Sequence, residues 1–599
     1  MRASAAYGSK VRPAAMAGCM LAFATLMSIP WLVPHMGWTA LLGLVPLLVM
    51  ERLATQNGIK HFWWWHYGAF VLWNAATTWW VGNATVGGAV FAVLANALQM
   101  SVVFGAFRWV KRRTGGILPY LFLAAAWIAW ERWYLTSAQI SWPWLVLGNA
   151  FAGTTSLVQW YSVLGSLGGS LWVWAANLSI FGLMVALSNG RFSAWNGKAR
   201  SCALAGTVLA LFGPMVWSLC IPAPPAPEAS VRVVIGQPSL DPYHKFESLT
   251  QEQQDSLFLS LVQEAFAADS SSALILAPET QTWRVYTDDI PHHPTFMRFQ
   301  EFLQQYPSSA IIYGASTYDP IYAAQRPHLC AYDMGPREGG VHLWLLSHNS
   351  AISAGASGLL GLYHKSKLVV GTELTPYPSF FVPLENLLGG GLMAKDLGQD
   401  SIACLPVTVT VTEPMPTTGT KTAADVTEPM PNAGTKNRAD ITEPMPTNGT
   451  KNRADVPLVG IGPEESAVVP VGTAICYESV YGEHCAGYVR AGAQMLAVIT
   501  NDSWWGNTPG YKQHFNYSRL RAIETRRWVA RCGNSGISGI IDPSGRVLDR
   551  TPWWVPTVLQ GSVGLSTQES FFVRYGDMVG RICVFLFLLL LAAALFRPR

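Results

Sequence analysis

The chain has 599 residues, of which 50% are hydrophobic and only 13% charged, with 26 Trp and a formal net charge of +4. Soluble domains carry about 25% charged residues, so the composition excludes an ordinary water-soluble enzyme and, for most of the chain, disorder. The charge is too small to argue for nucleic acid, and nine Cys without a C-x-x-C pair give neither a disulfide scaffold nor a zinc or redox motif.

Residues 1–222 hold a succession of long apolar runs, near 13–33, 38–50, 62–81, 86–108, 117–135, 166–187 and 203–221. An eighth lies near 580–596. Several match the roughly 20 residues that a helix needs to cross the hydrocarbon of a bilayer. Aromatic clusters such as Trp63-Trp64-Trp65, Trp79-Trp80 and Trp142-Pro143-Trp144 fall at run ends, where an amphipathic ring favours the interface. Glu131 and Arg132, at the end of the fifth run, read as interfacial too.

Basic residues give the orientation. Arg2, Lys10 and Arg12, then Arg52 and Lys60, then Arg108 to Arg113, then Arg191, Lys198 and Arg200, and finally Arg597 and Arg599 fall on one side of alternating spans. The opposite connections, 34–37, 82–85 and 136–165, carry no Lys or Arg; Arg132 and Arg581 are exceptions close to span ends. The positive-inside rule makes the basic side cytoplasmic. Seven spans then deliver residues 223–578 outside, and 579–599 return as a last helix with a cytoplasmic tail.

The outer segment opens on a proline-rich linker, Ile221 to Pro227. Beyond it, strand-like runs (Val231–Ile235, Ala273–Ala277, Ala310–Tyr313, Val471–Ile475, Met495–Ile499) alternate with helix-like stretches at 250–268 and 515–530. That alternation predicts an α/β domain. Pro470 is placed just before its strand, where a missing N–H is tolerated. Residues 412–456 repeat with a period of fifteen, each unit opening Thr-Glu-Pro-Met-Pro. Two prolines per unit prevent a helix, so a disordered surface insertion is expected.

Two strand ends carry reactive groups: Glu279 follows Ala273-Leu-Ile-Leu-Ala-Pro, and Cys476 follows Val471-Gly-Thr-Ala-Ile. Ligands of α/β sheets bind beyond the strand carboxyl ends. Between them lies Tyr363-His-Lys365-Ser-Lys-Leu-Val-Val-Gly-Thr-Glu373. A thiol is mostly protonated at neutral pH and needs a base or a nearby cation. Glu279 supplies the first and Lys365 the second, the ammonium also stabilising the oxyanion of an attacked carbonyl. Taken singly each residue is unremarkable, since a lone Cys at a strand end is more often a small buried hydrophobe.

In this order the motifs resemble the Glu-Lys-Cys hydrolases of the nitrilase superfamily. Thr500-Asn-Asp-Ser-Trp-Trp-Gly506, Gln513-His514, Arg519 to Glu524, Asn534-Ser-Gly536, Ile541 to Arg546, Arg574 to Asp577 and the membrane-side Ser141-Trp-Pro-Trp-Leu145 narrow the likeness. With seven spans before and one after, the chain resembles the membrane-embedded apolipoprotein N-acyltransferase family. The resemblance implies a four-layer αββα nitrilase-type sandwich on a helical membrane domain of about eight spans. It implies Cys476 as nucleophile, Glu279 as general base and Lys365 as oxyanion stabiliser. Glu373, Tyr477, Glu478, Asn349 and Phe246 would support the site or its substrates. Two local departures stand out, Leu-Val-Val-Gly-Thr-Glu373 where Leu-Val-Pro-Phe-Gly-Glu is common, and Phe246 where the family has a tryptophan.

The implied reaction takes an acyl chain from a membrane phospholipid onto Cys476 and passes it to the α-amine of a diacylglyceryl-cysteine at a lipoprotein N-terminus. The implied place is the bacterial inner membrane with the catalytic domain on the periplasmic side, and the implied cofactors and metals are none. A tethered amidase using water is the nearest rival, although eight spans exceed what an anchor needs. A transporter with an outer binding domain is a second, disfavoured by the scarcity of ionisable residues within the spans.

Overall fold

The computed structural model describes residues 13–243, 245, 249–387, 395–413 and 465–597. Phe246 and nearly all of the repeat fall outside them. Helices stand at each of the eight expected positions. Six are long and apolar enough to cross a membrane: Pro13–Leu32, Gly37–Gln56, Val86–Arg113, Tyr161–Ser188, Gly197–Cys220 and Met578–Leu595. The other two are Phe62–Thr78, of 17 residues, and Leu118–Thr136, which carries Glu131 and Arg132.

Apolar side chains lie on both sides of this bundle. Phe70, Trp73, Phe104, Trp127 and Trp174 fill its interior, while Leu204, Val208, Leu209 and Phe212 of Gly197–Cys220 and Phe585, Leu588 and Leu589 of Met578–Leu595 point outward, exposed. Water would make such a surface costly, and lipid would not.

Glu131 is a correction to the sequence reading. It is fully buried, and its Oε1 accepts from Leu147 N at 2.8 Å and from Trp127 Nε1 at 3.2 Å. The stretch Pro143–Phe151 folds back as short 3-10 turns, leaving N–H groups that need a partner. Arg132 turns the other way, its Nε 3.1 Å from Asp577 Oδ2 just before the last helix.

The α/β part is built on two sheets. The first contains β1 (Ala229–Gln237), β2 (Leu274–Leu276), β3 (Thr282–Tyr286), β4 (Ala310–Ala323), β5 (Tyr332–Pro336), β6 (His342–Gly355), β7 (Gly358–His364) and, at its far edge, β14 (Thr557–Leu565). The second runs β13-β12-β11-β10-β9-β8, from Val547–Arg550 through Gly539–Ile541, Val529–Gly533, Met495–Thr500 and Glu465–Ile475 to Leu405–Val411. Strand alternation explains the layers. Val231, Val233, Ile235, Leu274 and Leu276 face the second sheet's Val407, Val469, Val471 and Leu496 in one core. The intervening Val234 and Ile275 face the helices Gln251–Ala268 and Pro294–Gln305 in another.

Two local expectations change. The helix expected at 515–530 runs Pro509–Thr525, with the Thr508 side chain capping it and Arg526, at φ 54°, ending it in the left-handed region. Pro470 lies inside β9, opposite Pro406 of β8. Two facing prolines fit a non-hydrogen-bonded pair of an antiparallel ladder, which requires no N–H. The hairpin β6–β7 and the helix Pro294–Gln305 were not read from the sequence.

The helix Pro509–Thr525 joins the two halves. Gln513 accepts from Trp144 Nε1 at 2.6 Å and donates to Trp31 O at 3.1 Å. Glu524 accepts from Ser166 N at 2.8 Å, and Arg519 donates to Thr155 Oγ1 at 2.8 Å. Asn83 adds a bond to Trp505 O at 2.8 Å.

Candidate active site

Glu279, Lys365 and Cys476 each sit where a strand has just ended, after β2, β7 and β9. Glu279 reaches its place over Gly314 of β4, where an added Cβ would lie 2.6 Å from Glu279 Cα. Only glycine permits that approach. Cys476 has φ 51° and the residue after Glu279, Thr280, has φ 51° as well. Left-handed backbone is uncommon for such residues and marks positions held by their surroundings.

The polar atoms converge. Lys365 Nζ donates to Glu279 Oε1 at 3.0 Å and to Glu373 Oε1 at 2.7 Å. Asn349 Nδ2, from the middle of β6, donates to the same two oxygens at 2.8 and 2.7 Å. Asn501 N donates to Glu279 Oε2 at 3.0 Å, and Val369 N to Glu373 Oε2 at 2.7 Å. The Glu279 carboxylate is therefore held at both oxygens. Asn349 accounts for the tether between the carboxylates, a role its motif position only hinted at.

Charge follows from the same contacts. Burial pushes the Lys365 ammonium down, but the carboxylates of Glu279 and Glu373 hold it well above the ordinary lysine value. Burial and the Glu279 charge raise Glu373, against the pull of Lys365. Burial and Glu279 also raise the Cys476 thiol well above its usual value, with Lys365 and a hydrogen bond with Thr500 acting the other way. The raised value favours the protonated thiol, and a thiol in that state needs a base before it can act as a nucleophile.

Glu478 and Tyr477 do different work. Glu478 is fully buried and accepts from Ile475 N at 2.8 Å, Ser366 N at 2.6 Å, Tyr363 Oη at 2.7 Å and Tyr488 Oη at 3.0 Å. It ties the strand before Cys476 to the loop after Lys365, so it positions both rather than facing a substrate. Despite burial, His484 and these donors hold its carboxyl below the ordinary glutamate value. Tyr477 stacks on Trp142 of the membrane part, centroids 6.1 Å apart, and its hydroxyl donates to Ser141 O at 3.3 Å.

A second buried network stands behind Cys476. His514 Nε2 lies 3.1 Å from Cys476 O and 2.9 Å from Ser479 Oγ, while its Nδ1 lies 2.7 Å from Asp502 Oδ1. Arg531 donates to Asp502 Oδ2 at 2.7 Å. Burial opposes the Asp502 charge, yet Arg531 and His514 hold its carboxyl down to about 2. Asp502 and His514 lie in recognised motifs, but nothing in their spacing disclosed that they support the Cys476 backbone.

A cleft of about 290 Å³ opens where the membrane helices meet the α/β part, lined in part by Arg132, Glu483, Arg490, Arg574, Asp577 and Arg581. None of Glu279, Lys365 or Cys476 lines it.

Residues 244–571 match the carbon-nitrogen hydrolase family, and residues 20–179 match the apolipoprotein N-acyltransferase N-terminal domain. The chain is similar to the apolipoprotein N-acyltransferase of Chlorobaculum tepidum, 25% identical over 556 residues that cover 92% of this chain and 91% of that one. It is similar to that of Pseudomonas syringae pv. tomato, 25% identical over 559 residues, 89% of this chain and 88% of that one. Among solved structures it is similar to Saccharomyces cerevisiae Nit3 of the nitrilase superfamily, at 12% identity and a TM-score of 0.32, covering 60% of this chain and 98% of that one.

Proposed function

We propose that this chain, which belongs to the carbon-nitrogen hydrolase family, is a membrane-embedded N-acyltransferase of lipoproteins. Cys476 attacks an ester carbonyl of a phospholipid while Glu279 takes the thiol proton. Lys365 stabilises the oxyanion that forms. Collapse of the tetrahedral adduct releases a lysophospholipid, whose alkoxide recovers the proton from Glu279, and leaves a thioester on Cys476. The α-amine of a diacylglyceryl-cysteine then attacks the thioester, Glu279 accepts its proton, and an amide forms as the thiol is regenerated.

One observation carries the reading. Tyr477, next to the thiol, stacks on Trp142 of the membrane part, and Gln513, next to His514, bonds Trp144 and the carbonyl of Trp31 near a helix end. The site therefore abuts the membrane helices rather than sitting in a domain tethered at a distance. A protonated thiol, a carboxylate held at both oxygens and a buried ammonium suit acyl transfer through a thioester. Their placement beside lipid-facing helices suits an ester donor and a lipidated amine acceptor. The basic residues at the opposite helix ends support an inner-membrane protein with this domain on the periplasmic side.

The test is incubation of the purified protein with labelled phospholipid and a synthetic diacylated lipopeptide. A triacylated peptide and a stoichiometric lysophospholipid are expected. Release of free fatty acid with the peptide unchanged would instead identify water as the acceptor.

A further inference from the structure

A second constellation lies on the reverse face of the strands that carry the site. Successive strand residues point to opposite faces, so Asn349 faces Glu279 while His348 faces away. The register sets Thr317 opposite His348 and Ser350 opposite His364, which brings Asp319, two residues beyond Thr317 on β4, to that same face. Asp319, His348 and His364 each offer one ligand atom, all within 4.8 Å of one another. The two imidazole rings stack with centroids 4.2 Å apart.

Hydrogen bonds decide what these atoms can do. His348 Nδ1 lies 2.8 Å from Leu397 O, and a carbonyl only accepts, so Nδ1 carries the hydrogen. In a neutral ring Nε2 is then a bare lone pair. It is buried without a hydrogen-bond partner, on a residue only 8% exposed, and stands 3.3 Å from Asp319 Oδ2. Asp319 is part-exposed and its Oδ1 accepts from Thr287 Oγ1, which leaves Oδ2 facing the Nε2 lone pair, and a cation between the two would serve both. His364 Nδ1 lies 2.7 Å from Ser350 Oγ, which is 2.6 Å from Thr317 Oγ1.

The dimensions agree with a metal. Bonds of about 2.0–2.1 Å in a tetrahedron place ligand atoms roughly 3.3 Å apart; His348 and Asp319 stand at that separation, and His364 brings its ligand atom within 4.8 Å of both. A metal-bound imidazole usually donates its other N–H to an oxygen, as the Leu397 carbonyl and the Ser350 hydroxyl provide. We propose that Asp319, His348 and His364 bind one divalent transition-metal ion of the Zn²⁺ class, with a fourth position open to water. The ion braces β4, β6 and β7 directly behind Asn349 and Lys365 and takes no part in acyl transfer. Its ligands come from three strands at separations that fit no short motif, so spacing did not disclose them.

The experiment uses the full chain in detergent, purified without a histidine tag, stripped with chelator and dialysed against Zn²⁺. Elemental analysis should find one Zn²⁺ per chain, and Co²⁺ loading should give the visible absorption of a tetrahedral site without thiolate charge transfer. His364→Gln and Asp319→Asn should each weaken Zn²⁺ binding at least tenfold while the protein stays monodisperse. The wild-type stoichiometry stands independently of how any variant folds. Uptake below about a tenth of an equivalent would overturn the proposal and leave a protonated His348 paired with Asp319, as would Zn²⁺ binding unchanged in both variants.

Discussion

The ammonium of Lys365 stands 3.0 Å from Oε1 of Glu279, with both side chains withdrawn from solvent. The pair serves two charges that appear at different moments. In the resting site Lys365 balances Glu279 and Glu373; in the proposed reaction the same ammonium would face the oxyanion of an attacked carbonyl.

Removing either member separates these duties. Glu279→Gln keeps the shape and loses the base, which costs about 10²–10⁴ in the rate of acyl loading. Lys365→Met loses the oxyanion donor, a change worth about 10²–10³. Both variants should extract as monodisperse protein, and stopped-time loading with labelled phospholipid measures the rates. Loading at wild-type rate in Glu279→Gln would require another base.

Asp502 predicts a pH dependence of stability. Its folded carboxyl is depressed from 3.8 to about 2, so its contribution is fully present above pH 4 and is lost as pH falls toward 2. Linkage puts that contribution at roughly 2 kcal/mol. Acid unfolding followed by near-ultraviolet circular dichroism should therefore shift to higher pH in Asp502→Asn. That variant should also be less stable at neutral pH, because Arg531 is left buried without its carboxylate. An unchanged acid midpoint would deny Asp502 this role.

The lines of the site were legible for particular reasons. Glu279 and Cys476 stand directly after short apolar strands, and Lys365 sits in a polar stretch between them, so local pattern was enough to single them out as candidates that the fold brings together. Asn349 was placed only by a motif, and its double hydrogen bond to Glu279 and Glu373 depends on the β6 register. Glu478 lies beside Cys476 in sequence, yet its partners Tyr363 and Ser366 come from more than a hundred residues away. Glu131 reads as interfacial in the sequence because its partner, Leu147 N, belongs to a segment whose fold-back no periodicity announces. Pairwise tertiary partners of this kind leave no trace in one sequence.

The repeat offers a test of tolerance. Val411 and Glu465 are opposite each other where β8 and β9 pair, so the ends of the intervening chain already meet. Replacing 414–464 by a short turn should leave the acylation rate within about tenfold, or 1.4 kcal/mol, of wild type. A larger loss would mean that the insertion shapes the site.

Orientation is tested by fusion. Reporters after residue 227 and after residue 599 should report opposite sides of the membrane, the first periplasmic. The contacts of Trp31, Asn83 and Thr155 with the α/β part put that domain at the helix ends away from Arg108 and Lys111. Two cytoplasmic signals would remove both the topology and the argument about substrates.

If Cys476 carries the acyl chain, phospholipid alone should load it, since the first half-reaction needs no amine. Intact-mass measurement after exposure to phospholipid should show one fatty acyl adduct that neutral hydroxylamine removes, as a thioester requires. Cys476→Ala should show none, and a diacylated lipopeptide should discharge the wild-type adduct into triacylated product. An adduct of the same mass on Cys476→Ala would place the acyl chain on another residue.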